Sequence, residues 1–326
     1  MSCMSVCMQY IITKTMAFVL CLTMTVCANG ALNETQLEPD IIIFSYDRPL
    51  QLHAFLESLQ RYVTGIKKAY VIYRISDCHF GNAYNDLKVA FPEVVFVQQK
   101  EAKQADFKSL LLQLAFRQSN SRYILFAVDD IIVTDFCNLC ECTRALEKYA
   151  AYGFFLRLGK NIKQAYMQSI STDQPQPPLK QAQVGMYAWQ FNKGCYSWGY
   201  PNTVDMTIYR KDDIKKCFAE MVYKNPSGLE AQWAFPKPAK NQQLLKAIKA
   251  KIGLCYEHSK VVNLPLNLVQ ELFAGNKHAQ AWSTKELLKR YNEGYCFDIA
   301  PLYKINNKSP HMPYLPSFIK RVARGA

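Results

Sequence analysis

The chain has 326 residues, half of them hydrophobic, and a formal net charge of +13. That much apolar content at this length buries a sizeable core and excludes disorder as the main state. The positive charge is concentrated, with fifteen Lys or Arg against five Asp or Glu from Lys237 to Ala326; this suits a phosphate-bearing ligand or an anionic membrane surface, whereas the absence of any nucleic-acid module signature leaves no nucleic-acid partner expected.

In chain order, residues 1–31 read as a signal peptide or short membrane anchor. The run "TMAFVLCLTMTVCANGA" is apolar, too short for a comfortable span, and closes on the small residues Ala28, Gly30 and Ala31. Export or association with the membrane at the cell envelope is expected, with a cytoplasmic location as the alternative. Four of the twelve cysteines lie in this leader. In the body, Cys137, Cys140 and Cys142 cluster in "CNLCEC", but a second pair at zinc-site spacing is missing, so free thiols are expected. Asn33 and Asn307 match a glycosylation acceptor pattern too common to discriminate.

From Pro39 onward strands alternate with helices. "DIIIFSY" is a continuous apolar run suited to a strand buried on both faces, and "RPLQLHAFLESLQRYV" then shows helical spacing. "KAYVIYRIS", "VVFVQQ", "RYILFAV" and "GFFLRLG" read as further strands; "NDLKVAFP", "ADFKSLLLQLAFRQS" and about Phe136 to Tyr149 read as helices. This alternation predicts an α/β, Rossmann-like fold with a mostly parallel sheet flanked by helices. Past Gly159, "STDQPQPPLKQ" reads as a lid or surface loop, followed by strands in "GMYAWQF" and "TVDMTIYR" and helices over Lys211 to Val222 and about Asn241 to Lys251.

Ligands of open parallel sheets bind outside the carboxyl ends of the strands. There the sequence places Ser45-Tyr46-Asp47-Arg48, Ser76-Asp77, Gln98-Gln99-Lys100 and, after the fourth strand, Asp129-Asp130. Two adjacent carboxylates at a buried strand end repel each other and lose hydration, which costs several kcal/mol unless a cation or basic partner is present. A divalent metal resolves this, and oxygen ligands favour magnesium or manganese; the alternative is that one Asp caps the next helix while the other faces solvent.

Together "IIIFSYDRP", "YILFAVDDIIV", "FFLRLG" and "VVNLPLNLVQ" resemble bacterial nucleotide-diphospho-sugar glycosyltransferases of the GT-A fold, a likeness covering about Pro39 to Arg321. The resemblance implies a nucleotide-sugar-binding half over 39–159 and an acceptor-binding half over 160–326 of the same catalytic domain, as an acceptor-side C-terminal extension. It implies transfer of a sugar from a nucleotide-diphosphate donor to a glycan, lipid or protein acceptor. Asp129 and Asp130 would be the Asp-rich metal motif, although Ile131 stands where a third Asp often occurs, and His311 in "SPHMPYLP" would complete the metal shell. Tyr46 and Arg48 would touch the nucleotide, Asp77 would accept from base or ribose, and Lys108 would approach the diphosphate alongside Asp129. For each a plainer role stands beside it: Arg48 pairing with Asp47, Lys108 on a solvated face.

An inverting transfer needs a carboxylate to take the acceptor's proton. Glu230 in "KNPSGLEAQW" lies beside Trp233, where apolar packing would raise its pKa, and it resembles a Pro-x-x-Leu-Glu stretch of the family. Asp205 in "YPNTVDMTIY" is the competing catalytic residue, downstream of Trp198 and Tyr200. Ser197 stands where the family often has an acid before the tryptophan. The rival readings are a non-catalytic glycan- or partner-binding relative at the cell envelope and a nucleotidyltransferase, though "SYDRPLQ" lacks the latter's glycine-rich loop.

Overall fold

The computed structural model describes residues 34–100, 105–167, 170–267 and 282–321, and its compact unit Leu37–Ala326 carries the sheet; the leader lies outside the described residues. The first apolar run is strand β1 (Asp40–Tyr46), which leads into helix α1 (Pro49–Tyr62) with proline in its first turn, where no amide hydrogen is needed. Between them Asp47 takes a left-handed φ of 52°, a conformation short polar side chains tolerate.

Next come β2 (Lys68–Arg74), α2 (Cys78–Ala90), β3 (Val94–Gln98), α3 (Phe107–Phe116) and β4 (Tyr123–Val128). A short β5 (Ile131–Val133) follows the Asp pair, then α4 (Leu139–Lys148), β6 (Gly153–Phe155), β7 (Lys180–Gln183) and β8 (Met186–Gln190). The last third adds β9 (Thr207–Arg210), α5 (Lys211–Glu220), α6 (Pro226–Ala234), α7 (Ala239–Lys249), β10 (Ile252–Tyr256), β11 (Val261–Asn263) and α8 (Thr284–Asn292).

Nine strands form one sheet in the order β7-β8-β10-β6-β9-β4-β1-β2-β3. The block β4-β1-β2-β3 is wholly parallel, β10 and β6 are parallel to each other, and β9 and β8 run against their neighbours. Seven strands thus share a direction, giving the mostly parallel α/β sheet with flanking helices that the alternation predicts. Continuous apolar runs fit this placement: Ile41, Ile42 and Ile43 have no exposed surface, as expected of a strand covered on both faces.

Two elements differ from the sequence reading, and a third takes one of its two alternatives, the surface loop rather than the lid. "IGLCY" is an interior strand, β10, whose Gly253 lies where a Cβ would fall 2.7 Å from the Trp189 ring, so the glycine lets that indole press on the backbone. "PSGLEAQWA" is a helix, α6, capped by the Asn225 side chain on the Gly228 amide. The Pro- and Gln-rich loop is anchored rather than lid-like: Gln176 Nε2 donates to the carbonyls of Lys160 and Ile162, each at 2.9 Å, and Gln174 Nε2 to that of Gln164 at 2.9 Å.

The thiols of Cys137, Cys140 and Cys142 are buried and form no disulfide with one another; burial pushes the Cys137 thiol up to about 12. Asn307 of the acceptor pattern is buried and accepts from Asn161 and Ser259, so its side chain is structural. Among the described residues no helix is long and apolar enough to cross a membrane.

Candidate active site at the strand ends

β1 and β4 are paired in parallel, so their carboxyl ends open at the same edge. Asp129, just past β4, is 3 % exposed; its Oδ2 accepts from Ser45 Oγ at 2.8 Å and from the Tyr46 amide at 3.3 Å. Asp130 is held by the ladder between β5 and β11: Asn263 pairs with Ile131, and its Nδ2 donates to Asp130 Oδ1 at 3.4 Å. The backbone of His311 bridges to Asn263, bringing the C-terminal segment to the same place.

The basic partner of the two carboxylates is Arg48. Its Nη1 lies 3.0 Å from Asp129 Oδ1 and 3.3 Å from Asp130 Oδ2, and its Nη2 donates to the Asn267 carbonyl. The pairing of Arg48 with Asp47 is replaced by this geometry, which keeps Arg48 at the strand-end crevice where a nucleotide contact is expected of it. Asp47 instead accepts from the Ser76 amide at 2.9 Å. A guanidinium has donors enough to serve both carboxylates and a carbonyl at once, so the crowding of negative charge is relieved within the chain. Burial still pushes the Asp130 carboxyl up to about 7, against the opposing pull of Arg48 and with added repulsion from Asp129 and Asp205.

As a metal centre, Asp129, Asp130 and His311 do not converge. Among the described residues the one set of three acidic, thiol or imidazole ligands with atoms within 4.8 Å of one another is His53, Glu57 and Cys296. Arg48 stands where an ion shared by both Asp carboxylates would sit. A narrower donor set does fit a hard cation: Asp130, whose side chain is 15 % exposed, and the buried Oδ1 of Asn263, which has no hydrogen-bond partner. Magnesium-like ions commonly take one or two carboxylates and draw the rest of their shell from water and substrate phosphate. His311 is held toward its neutral form by burial, against the pull of Asp205, which suits a ligand.

The acceptor-side acids lie close to this crevice. Burial pushes the Glu230 carboxyl up to about 7, with repulsion from Asp205 adding to it and a Thr203 hydrogen bond and Arg157 opposing it. Glu230 Oε1 accepts from the Val204 amide at 3.3 Å, which fixes α6 against the loop that carries Asp205. Asp205 is thus within electrostatic range of Asp130, Glu230 and His311. Beside them opens a cleft of about 990 Å³ walled by Tyr196, Tyr200, Phe235 and His311. Trp198 is buried and packs edge-on against Trp189, so it is core rather than a sugar platform, whereas Tyr200 lines the cleft.

Two sequence candidates are engaged elsewhere. Asp77 caps α2, its Oδ1 accepting from the amides of His79 and Phe80 at 2.8 and 3.3 Å, so that oxygen is committed to the helix rather than to a ribose. Lys108 donates to the carbonyls of Ala219 and Met221 at 2.7 and 2.6 Å, which ties α3 to the end of α5. Tyr46 stays at the end of β1 with the Arg74 guanidinium 5.0 Å from its ring centre. Sequence reasoning gave no role to Asn263 or Arg157. The signal was present: each is a polar residue set in an otherwise apolar strand run, "VVNLPL" and "FFLRLG".

No family model matches the chain. A curated relative, "Bifunctional glycosyltransferase pgtA" of Dictyostelium discoideum, is 26% identical over 268 residues, 76% of this chain and 34% of that protein; the chain therefore spans about a third of the length of the curated relative it matches. Among solved structures, S. aureus TarS 1-349 aligns at 13% identity and a TM-score of 0.39 over 68% of this chain and 58% of its own. GalNAc-T7 with UDP, GalNAc and Mn2+ aligns at 8% and 0.43 over 70% and 44%. Alignments this loose assign no residue a role.

Proposed function

We propose that this chain is a glycosyltransferase that moves a sugar from a nucleotide-diphosphate donor to a glycan, lipid or protein acceptor with a divalent ion, manganese or magnesium. The observation that carries the reading is the gathering of Asp129, Asp130 and Arg48 at the open ends of β1 and β4, with Asp205 in electrostatic reach of Asp130 on one side and of Glu230 on the other, beside an aromatic-walled cleft. The name of the Dictyostelium relative supports it, and the leader over 1–31 supports an exported or membrane-associated location.

Ser45 and the Tyr46 amide fix Asp129, which fixes Arg48; that guanidinium offers positive charge at the crevice where a departing diphosphate gains negative charge. Asp130 and Asn263 would hold the ion, which would supply positive charge against the diphosphate oxygens. Glu230, with its pKa near neutrality, accepts the proton of the attacking hydroxyl as the acceptor oxygen bonds to the anomeric carbon and the bond to the diphosphate breaks. Asp205 is the competing base.

One observation favours a second reading, a non-catalytic glycan- or partner-binding relative: Arg48 already pairs with both carboxylates of the Asp pair within the chain. Hydrolysis of a panel of nucleotide sugars, with and without manganese, separates the two. Turnover that falls by about 10²–10⁴ in Glu230→Gln and survives in Asp205→Asn supports the enzyme with Glu230 as base. The opposite pattern makes Asp205 the base, and no turnover of any donor by the unaltered chain supports the binder.

A further inference from the structure

Arg157, two residues past β6, is 4 % exposed and lines the cleft. Its Nε and Nη2 are both buried and without a hydrogen-bond partner. These two atoms form one edge of the guanidinium, the pair of parallel donors that matches the two oxygens of a carboxylate or phosphate. A buried guanidinium with that edge unmade has lost hydration that nothing in the chain replaces. The rest of the cleft agrees in sign: its other charged wall residues are Lys246 and Lys249 on α7, and no Asp or Glu lines it. The ring of Tyr200, 5.9 Å from the Arg157 guanidinium carbon, and the exposed Phe235 supply apolar faces on which a sugar ring can lie.

From this we infer that the cleft receives an acidic acceptor, a glycan unit bearing a carboxylate or a phosphate, with the oxyanion drawn to the Arg157 guanidinium, whose donors are not all satisfied within the chain, and the two α7 lysines attracting it at the rim. The inference rests on the glycosyltransferase reading for the word acceptor, but its binding site does not depend on turnover. Arg48 and Asp129 belong to the donor crevice and play no part in it.

The test is equilibrium binding of glucose 6-phosphate, glucuronate and glucose to the full chain at low salt, with UDP and GDP plus manganese as a separate arm. A charge-assisted pair of this kind predicts that one or both acidic sugars bind roughly ten- to hundredfold more tightly than glucose. The stronger of the two identifies phosphate or carboxylate as the preferred group. Arg157→Gln abolishes that preference, and the surface double variant Lys246→Gln/Lys249→Gln, which poses little risk to folding, weakens it and steepens nothing in glucose binding. Nucleotide binding is unchanged in both. Equal binding of acidic and neutral sugars, or a preference that survives Arg157→Gln, overturns the inference. So does loss of nucleotide binding in Arg157→Gln with sugar binding intact, because it places the donor diphosphate on Arg157. If the unaltered chain binds acidic sugars through Arg157 but no nucleotide, the glycosyltransferase reading fails while the oxyanion site stands.

Discussion

Replacing Arg48 by Met tests whether this guanidinium is what lets two adjacent acids sit at the end of β4. The side chain is 9 % exposed, bonds to Asp129 at 3.0 Å and Asp130 at 3.3 Å, and also donates to the Asn267 carbonyl. Met fills a similar volume, so the loss is mainly electrostatic. Removing one partner of a buried ion pair costs about 3–5 kcal/mol, since the remaining charge stays buried. Asp129 keeps its bonds from Ser45 and Tyr46, which places the expected loss toward the lower end of that range. Burial already holds the Asp129 pKa above its ordinary value against the pull of Arg48; in the variant no cation is beside it, and its folded pKa rises further. The folded state then prefers the protonated acid, and the deficit against the parent protein grows as pH rises through that raised pKa. Urea unfolding at pH 5 and pH 8 reads both effects, and Arg48→Met/Asp129→Asn should recover more than half of the loss at pH 8. A deficit under about 1 kcal/mol, the range of an exposed pair, or one that shrinks with rising pH, would refute the reasoning.

Two further outcomes are expected. Glu230, with a folded pKa of about 7 against an ordinary 4.5, is favoured in its protonated form by the fold; its contribution is complete below about pH 4.5 and lost as pH rises through 7. Glu230→Gln should therefore flatten the decline in unfolding free energy between pH 5 and 8, and a slope identical to that of the parent would contradict this. At the opposite end of β1, Lys211 Nζ bonds Asp40 at 2.6 Å with side-chain exposures of 8 and 0 %. Lys211→Met should cost about 3–5 kcal/mol in urea unfolding and Lys211→Met/Asp40→Leu much less, whereas equal losses in the two would show that packing rather than charge is at stake.

The alternation of strand and helix was legible because buried parallel strands are written as unbroken apolar runs, and β1, β2 and β4 begin and end within a residue or two of them. β10 was hidden because "IGLCY" follows α7 without a turn signal and contains a glycine, a residue that weakens a strand in isolation; here Trp189 fills the missing side chain's space. The Asp pair could be placed at a strand end from sequence, but its partner could not. Arg48 and Asp130 are 82 positions apart, and nothing local distinguishes an arginine aimed inward from one that pairs with its neighbour Asp47. Asp77 and Lys108 show the converse: a capping acid and a lysine on helix-end carbonyls look in sequence like any polar residue near a strand end. The sequence places Glu230 after a turn, whereas it lies on a helix whose Leu229 and Trp233 are buried; its raised pKa comes from its own burial and from Asp205.

Calorimetric titration of UDP and GDP into the full chain, with and without manganese, before and after Asp130→Ala, addresses the crevice at β1 and β4 most directly. The proposed function predicts diphosphate binding that requires the ion and weakens at least tenfold in the variant. Nucleotide affinity that is the same with and without manganese, and the same in Asp130→Ala, would contradict it.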